Sequence, residues 1–455
     1  MAKGTFFGIF QDLIWFTYCD YDIFITKKNT FYFKFGVIIV LIQRDFYLRQ
    51  LKLRRNNDMI KVITGVRRCG KSYLLFRLFK KSLLDEGIPK DHIIEVVLDN
   101  IENDYLRNPH ELYLFIKNRI NDDGMYYILL DEIQLVERFP EVLNSLLRME
   151  NTDVYVTGSN SRFLSSDVLT EFRGRGDEVR VYPLSFSEFL SVYQGTEEDA
   201  WLDYMTFGGM PRVPSIETDE QKIKYLQDLF KETYLKDLIE RNHIHNSTEF
   251  EELINTLASS IGALTNPKKL ENTFRSVSGS SVTDKTIKKY IQYMKEAFLI
   301  DTAVRYDIKG RKYIGTPMKI YFVDPGLRNA RLGFRQIEEG HLMENIIFNE
   351  LKRRGYLVDV GTLELRESSQ GIAIRKQVEV DFIACKGNNK YYIQSAFSMS
   401  DEAKQLQETR PLLHIRDSFK KIIVVGSHIR LKRDENGITT MGIREFLKNE
   451  DSLEL

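Results

Sequence analysis

The stretch Gly65-Val66-Arg67-Arg68-Cys69-Gly70-Lys71-Ser72 constrains this chain more than any other, because it fits the pattern G-x-x-x-x-G-K-[ST] in full. Its flanks matter as much as its letters. Met59 to Thr64 (MIKVIT) is an apolar run of strand character, and beyond Ser72 the residues Leu74, Leu75, Leu78, Phe79 and Leu83 share one face at helical spacing. Strand, glycine-rich turn and helix in that order make a cradle for an anion. The glycines let the backbone curl, while exposed N–H groups and the start of the helix supply positive field. Gly65 to Tyr73 are therefore expected to hold the phosphates of ATP, with Lys71 reaching the β- and γ-phosphates and Ser72 ligating Mg²⁺.

Downstream, the apolar strand YYILL (Tyr126 to Leu130) delivers Asp131 and Glu132 at its end. Asp131 is the expected partner of Mg²⁺ and Glu132 the expected general base, since orienting an attacking water requires a carboxylate near the γ-phosphate. A further strand, Asp153 to Thr157, runs into Gly158-Ser159-Asn160-Ser161, where Asn160, and after it Ser159, is a candidate to bond both water and phosphate. Arg173 and Arg175, either side of Gly174, are candidates for an arginine that neutralises charge on the transferred phosphoryl group, within the chain or across a subunit boundary. An ordinary solvated basic loop is the competing reading of that pair.

Strand and helix segments alternate from Arg44 to about residue 183, with strands also at Ile93 to Asp99 and Glu178 to Val181. This alternation implies a mostly parallel sheet covered on both faces, its ligand crevice at the carboxyl ends of the strands. Helices follow, interrupted at Gly208-Gly209 and Pro211 by a joint. The expected organisation is an extension over 1–43, a core over 44–195, a helical lid or joint over 196–240, a winged-helix-like region over 241–335 and an α/β domain over 336–455. In the fourth of these, helices from Pro267 and from Thr283 would form the helix-turn-helix, and strands Ala303 to Tyr306 and Lys319 to Val323 the wing.

Composition narrows the setting. Lysine plus arginine equals aspartate plus glutamate at 65 each, so nucleic acid would have to be drawn by local patches rather than net charge. Three cysteines without metal-ligand spacing fit a reducing cytoplasm and no disulfide framework. The first 42 residues are rich in aromatics, yet Asp12, Asp20, Asp22, Lys27, Lys28 and Lys34 interrupt them short of the roughly 20 apolar residues of a membrane helix. No integral membrane segment is expected; the extension reads as poorly ordered, as a contact surface, or as added sheet.

The set TGVRRCGKS, ILLDEIQ, VTGSNS, FRGR, YPLSFSEF and FGGMP resembles a family of prokaryotic AAA-type ATPases that carry a C-terminal domain of unknown function with a restriction-endonuclease-like segment. The resemblance covers Arg44 to the end. It implies an α/β P-loop NTPase core of AAA type, a helical lid, a winged-helix-like middle and a restriction-endonuclease-like α/β domain. For the nucleotide site it implies the roles already given to Lys71, Ser72, Asp131, Glu132 and Asn160, with Arg173 or Arg175 like an arginine finger.

A nuclease of that class needs carboxylates for Mg²⁺ and a lysine. Glu344 and Asp381 are candidates, but where the family pattern reads acidic-x-Lys this chain has Gln394-Ser395-Ala396. A scaffold without nuclease activity is expected. Lys285, Lys288, Lys289, Lys295, Lys309, Arg311 and Lys312 make DNA contact through 283–312 a possible role. The leading expectation is Mg²⁺-dependent ATP hydrolysis that moves the C-terminal parts on DNA or a protein partner, with oligomerisation possible. The alternatives are an ATP-loaded switch or DNA-binding regulator without turnover and, after these, an ATP-dependent nuclease.

Overall fold

The computed structural model describes residues 42–158, 174–369, 372–399 and 401–455, and before them the strand backbones within 8–40. Those early strands, β1 (Gly8–Phe10), β2 (Leu13–Tyr18), β3 (Tyr21–Thr26), β4 (Thr30–Lys34) and β5 (Val37–Val40), pair in sequence order as an antiparallel meander. Of the readings open for the extension, this is added sheet. Asn160, Arg173, Ser159 and Ser161 lie outside the described residues.

The first full sheet contains β6 (Ile60–Thr64), β7 (Ile93–Val97), β8 (Tyr126–Asp131), β9 (Thr152–Thr157) and β10 (Gly176–Arg180). Its order is β10-β6-β9-β8-β7, and every neighbouring pair is parallel. Strands buried on both faces read as continuous apolar runs, and β8 is buried at all its positions. Alternation along β6 sends Ile60 and Val62 into one apolar layer with Ile128 and Leu143, and Ile63 into another with Leu75, Phe79 and Tyr155. A parallel sheet enclosed by helices is thus present as the sequence implied. Its order sets the carboxyl end of β6 between those of β10 and β9, where the glycine-rich turn begins.

Helices follow: Glu197–Phe207, then a long helix over 219–241 whose middle turns, Leu229–Leu235, are π-wound. Helices Ser247–Ser259, Pro267–Ser278 and Asp284–Glu296 come next, the last capped by the Thr283 side chain as its sequence suggested.

The remaining strands build one mixed sheet: β11 (Leu264–Thr265), β12 (Ile300–Asp307), β13 (Lys312–Phe322), β14 (Leu357–Ser369), β15 (Ile372–Lys386), β16 (Asn389–Ala396), β17 (Lys420–Val425), β18 (Lys432–Arg433) and β19 (Ile438–Gly442). Strands occur at both places where a wing was expected, but they are longer than expected and do not stand free. β12 pairs in parallel with β14, Arg305 opposite Val360 and Asp307 opposite Thr362, which fuses the hairpin to the C-terminal sheet. Helix Glu339–Arg353 covers that sheet and meets the first domain through Arg353, whose guanidinium lies 4.7 Å from the centre of the Phe46 ring. One apolar layer runs without a break from Tyr47 through Phe250 and Tyr321 to Leu453.

Candidate functional site

Gly65 leaves β6 at φ +138°, and a Cβ there would lie 2.1 Å from the Val181 carbonyl oxygen, so only glycine fits. Gly70 at φ +98° completes the turn into the helix. Lys71 is buried and its Nζ donates to the carbonyls of Gly65 and Val66 at 3.0 and 3.1 Å. Its ammonium thus sits over the mouth of the loop, on oxygens that phosphate oxygens could replace. Ser72 Oγ donates to Asp131 Oδ1 at 3.0 Å. The first turn of the helix after the loop and the end of β8 are thereby joined side chain to side chain.

Thr157, at the end of β9, links the two halves of the acidic pair. Its hydroxyl donates to Asp131 Oδ1 and accepts the Glu132 N–H at 3.0 Å. Burial pushes the Asp131 carboxyl above the ordinary aspartate range, against the pull of these hydroxyls. Such a carboxylate gains from a cation. Glu132 sits in the left-handed region at φ +50°, the turn that carries it out of the strand, and its Oε2 accepts from Gln134. Strain at a non-glycine residue of this kind costs on the order of 1 kcal/mol and is concentrated at working sites.

Arg67, Arg68, Gly70, Lys71, Ser72, Tyr73, Asp99, Glu132, Gln134, Glu232 and Thr233 line one cleft of about 540 Å³. Its far wall is the long helix over 219–241, from which Tyr234 donates to the Arg67 carbonyl at 2.7 Å and Asp237 pairs with Arg67 at 3.3 Å. Val66 and Cys69 are buried and act from beneath the loop. The structure therefore brings Lys71, Ser72, Asp131 and Glu132 together.

Arg175 is elsewhere. It precedes β10 and its carbonyl accepts from Ile60 N at 2.8 Å, at the amino end of β6. That is a whole strand from the loop, about 15 Å away. Arg175 thus starts at the opposite end of β6 from the loop and is not among the residues that line the cleft.

Two supports escaped the sequence reading. Arg44, almost wholly buried, donates to Cys69 O at 3.0 Å and Tyr182 O at 2.7 Å and pairs with Glu188 at 2.9 Å, holding the loop from behind. Asp324 accepts the N–H groups of Gly209 at 2.7 Å and Leu327 at 3.0 Å, tying the FGGMP turn to the end of the hairpin. Burial pushes its carboxyl up to about 6.

In the C-terminal sheet a lysine does meet the acidic candidates, from an unexpected strand. Lys319 on β13 lies 2.9 Å from Glu344, 2.6 Å from Glu379 and 3.2 Å from Asp381. Burial opposes its charge, but Asp381, Glu344 and Glu379 outweigh burial and hold the ammonium firmly protonated. Asp381 Oδ2 also accepts Ser395 N at 2.9 Å, and Tyr321 donates to Glu344 at 2.6 Å. Among the described residues no group of three or more His, Cys, Asp or Glu has an arrangement that could hold a metal ion. The carboxylates that a metal-dependent nuclease centre calls for thus lie within 3.2 Å of a lysine, supplied by β13 rather than by the strand on which the motif carries it.

A parallel sheet, a glycine-rich cradle at the end of an inner strand and a Ser–Asp pair beside a glutamate define a P-loop nucleotide-binding protein. A family model described as "AAA domain" matches residues 57–190, and one described as "Domain of unknown function (DUF8612)" matches residues 198–338. An uncharacterized protein of Haemophilus influenzae is 34% identical over 414 residues, covering 90% of this chain and 98% of that protein. One of Methanocaldococcus jannaschii is 29% identical over 373 residues, covering 78% and 79%. The chain belongs to this family of AAA-type ATP-binding proteins with an appended domain of unknown function. Among solved structures, the Aeropyrum pernix ORC1 protein in complex with DNA aligns over 64% of this chain and 92% of its own at 14% identity, with a TM-score of 0.28. A DNA replication initiation factor aligns over 55% and 75% at 14% identity, with a TM-score of 0.25. Overlaps of that size carry no argument about function. No helix among the described residues is long and apolar enough to cross a membrane.

Proposed function

We propose that this protein hydrolyses ATP with Mg²⁺ and uses the cycle to shift its lid and C-terminal parts against a DNA or protein partner. The meeting of Lys71, Ser72 and Glu132 in one cleft, with Asp131 bonded to Ser72 behind it, supports the reading. Mg²⁺, when bound, supplies charge neutralisation at the phosphates; Ser72 Oγ and Asp131 are the groups to hold it. Lys71 exchanges its two carbonyl partners for phosphate oxygens. Glu132 orients and deprotonates water, with Thr157 fixing its backbone, and Asn160 is retained as a second polar group for that water. Arg173 and, across a subunit boundary, Arg175 are the proposed arginine fingers, which makes an oligomer part of the proposal.

The lid carries the consequence outward. Arg67 in the loop bonds Tyr234 and Asp237 of the long lid helix, so a change at the phosphates is felt there first. The winged-helix-like region, 241–335, with DNA contact through 283–312, and the domain over 336–455 are proposed as what moves. We propose no nuclease step, since Gln394 stands where the motif carries a carboxylate.

One observation favours a second reading. The carboxylate of Glu132 is already engaged by Gln134, and a base so held suits an ATP-loaded switch with negligible turnover. Phosphate release by purified protein separates the two. Turnover that falls 10²- to 10⁴-fold in Glu132→Gln supports hydrolysis, whereas tight binding with no release in either protein supports the switch. Absence of ATP binding would reject both.

A further inference from the structure

The hairpin turn between β12 and β13 forms one wall of a groove whose other wall is the end of helix Glu402–Leu413 and the residues after it. Two adjoining hollows, of about 560 and 620 Å³, share Lys309, His414 and Arg416 and so make one channel. Arg311, Lys390 and Arg410 add cations, and Tyr306 and Phe419 add rings. Lys390 sits among three aromatic faces, its Nζ 5.9 Å from the centre of Tyr306, 5.8 Å from Tyr392 and 5.0 Å from Phe419. Tyr313, two-thirds exposed, packs edge-on against Tyr306 at 5.1 Å.

The acids along the channel are occupied with the protein itself. Asp307 accepts Gly310 N at 2.8 Å and shapes the turn, Glu364 pairs with Arg375 at 3.2 Å, and Asp417 accepts the Tyr392 hydroxyl at 2.6 Å. Among the described residues no carboxylate pairs with Arg311, Lys390 or Arg416. Both walls are built in: Ile308 N bonds Thr362 O at 3.1 Å, and Lys421 Nζ bonds Ile415 O at 2.7 Å behind the exit from the helix. The helix first considered for DNA offers less, since Lys288 is paired with Asp284 at 3.0 Å and Lys295 bonds Thr302 at 3.1 Å.

We infer that this groove binds single-stranded nucleic acid, its phosphates against Lys309, Arg311, Lys390 and Arg416 and its bases against Tyr306, Tyr313 and Phe419. Cations alone would suit any polyanion. Rings interleaved with them select a strand whose bases are free to stack, which duplex bases are not. The site lies on the far sheet from the ATP cleft and needs no turnover to bind.

Fluorescence anisotropy of the full chain with a labelled oligothymidylate of about 20 nucleotides, without ATP, tests this. Saturable binding that weakens steeply between low and moderate salt is expected, with the matched duplex and polyglutamate as poor competitors. The double variant Lys309→Glu, Arg416→Glu should lose affinity more than tenfold, and Phe419→Ala with Tyr313→Ala about tenfold for the oligothymidylate alone. Lys285→Glu with Lys289→Glu should change little. Unchanged ATP binding in each variant certifies its fold, and Lys309→Gln with Arg416→Gln serves if charge reversal unfolds the chain. No binding, indifference to the groove variants, or equal competition by duplex or polyglutamate that ring removal leaves untouched would overturn the assignment. Loss of ATPase activity with binding intact would strike only the proposed hydrolysis.

Discussion

Lys71, Ser72, Asp131 and Thr157 form a chain of polar contacts across three neighbouring strand ends, and each link has a separable consequence. Lys71→Ala should abolish ATP binding, read by calorimetry, because it removes the ammonium that sits on the Gly65 and Val66 carbonyls at the mouth of the loop. Thr157→Val removes two hydrogen bonds while keeping shape, so ATP should still bind while phosphate release falls roughly 10- to 100-fold, the cost of misplacing a group near the reacting centre. Undiminished turnover in Thr157→Val would remove Thr157 from the site. Lys71 and Ser72 were legible because a P-loop is local: pattern and flanking elements lie within a few residues. Thr157 and Arg44 were not, since Thr157 matters through Asp131, 26 residues away in sequence, and Arg44 through Cys69, Tyr182 and Glu188. Such partners are set by sheet order, which no local period reveals.

Elements meet at two buried charges. Asp324 holds the FGG turn of one helix to the start of the helix Pro325–Arg331, and removing its acceptor strands the N–H groups of Gly209 and Leu327. Asp324→Ala should lose about 2–4 kcal/mol in urea denaturation. Because burial raises this carboxyl to about 6 from an ordinary value of 3.8, its contribution is complete below pH 4 and declines as pH rises through 6. Asp324→Asn should flatten that part of the stability profile, and an unchanged slope would count against Asp324 as its source. Lys319 is the second charge. Lys319→Met leaves Glu344 and Asp381 buried without their cation, and about 3–5 kcal/mol should go. Loss below 1 kcal/mol would mean solvent already balances them. The acidic residues were visible in the sequence; the lysine was sought on the neighbouring strand by motif spacing and came instead from β13, brought in because the hairpin joins the C-terminal sheet through β14.

On the scale of the molecule, the separate parts expected from changes of pattern share one apolar layer, and this decides how the chain should unfold. Tyr321 on the hairpin stacks on Phe348 of the covering helix at 4.2 Å and contacts Phe382 on β15. The same helix reaches the first domain by Arg353 over Phe46, and Arg180 of β10 pairs with Asp301 of β12 at 2.9 Å. Domains joined by small polar surfaces unfold independently, whereas a continuous apolar interface couples them. Calorimetry of the full chain should therefore show one dominant transition, and Mg-ATP at about 100 times its Kd should raise the whole of it, by about 2.7 kcal/mol at the midpoint. A chain ending at residue 335 would expose the face of Tyr321, Phe322 and Leu327 that helix Glu339–Arg353 covers, and should be recovered only as aggregate. Two resolved transitions, with nucleotide shifting just one, would show that the lid does not pass the state of the cleft to the C-terminal sheet, and ATP would then have no route through this core to the strand-binding groove.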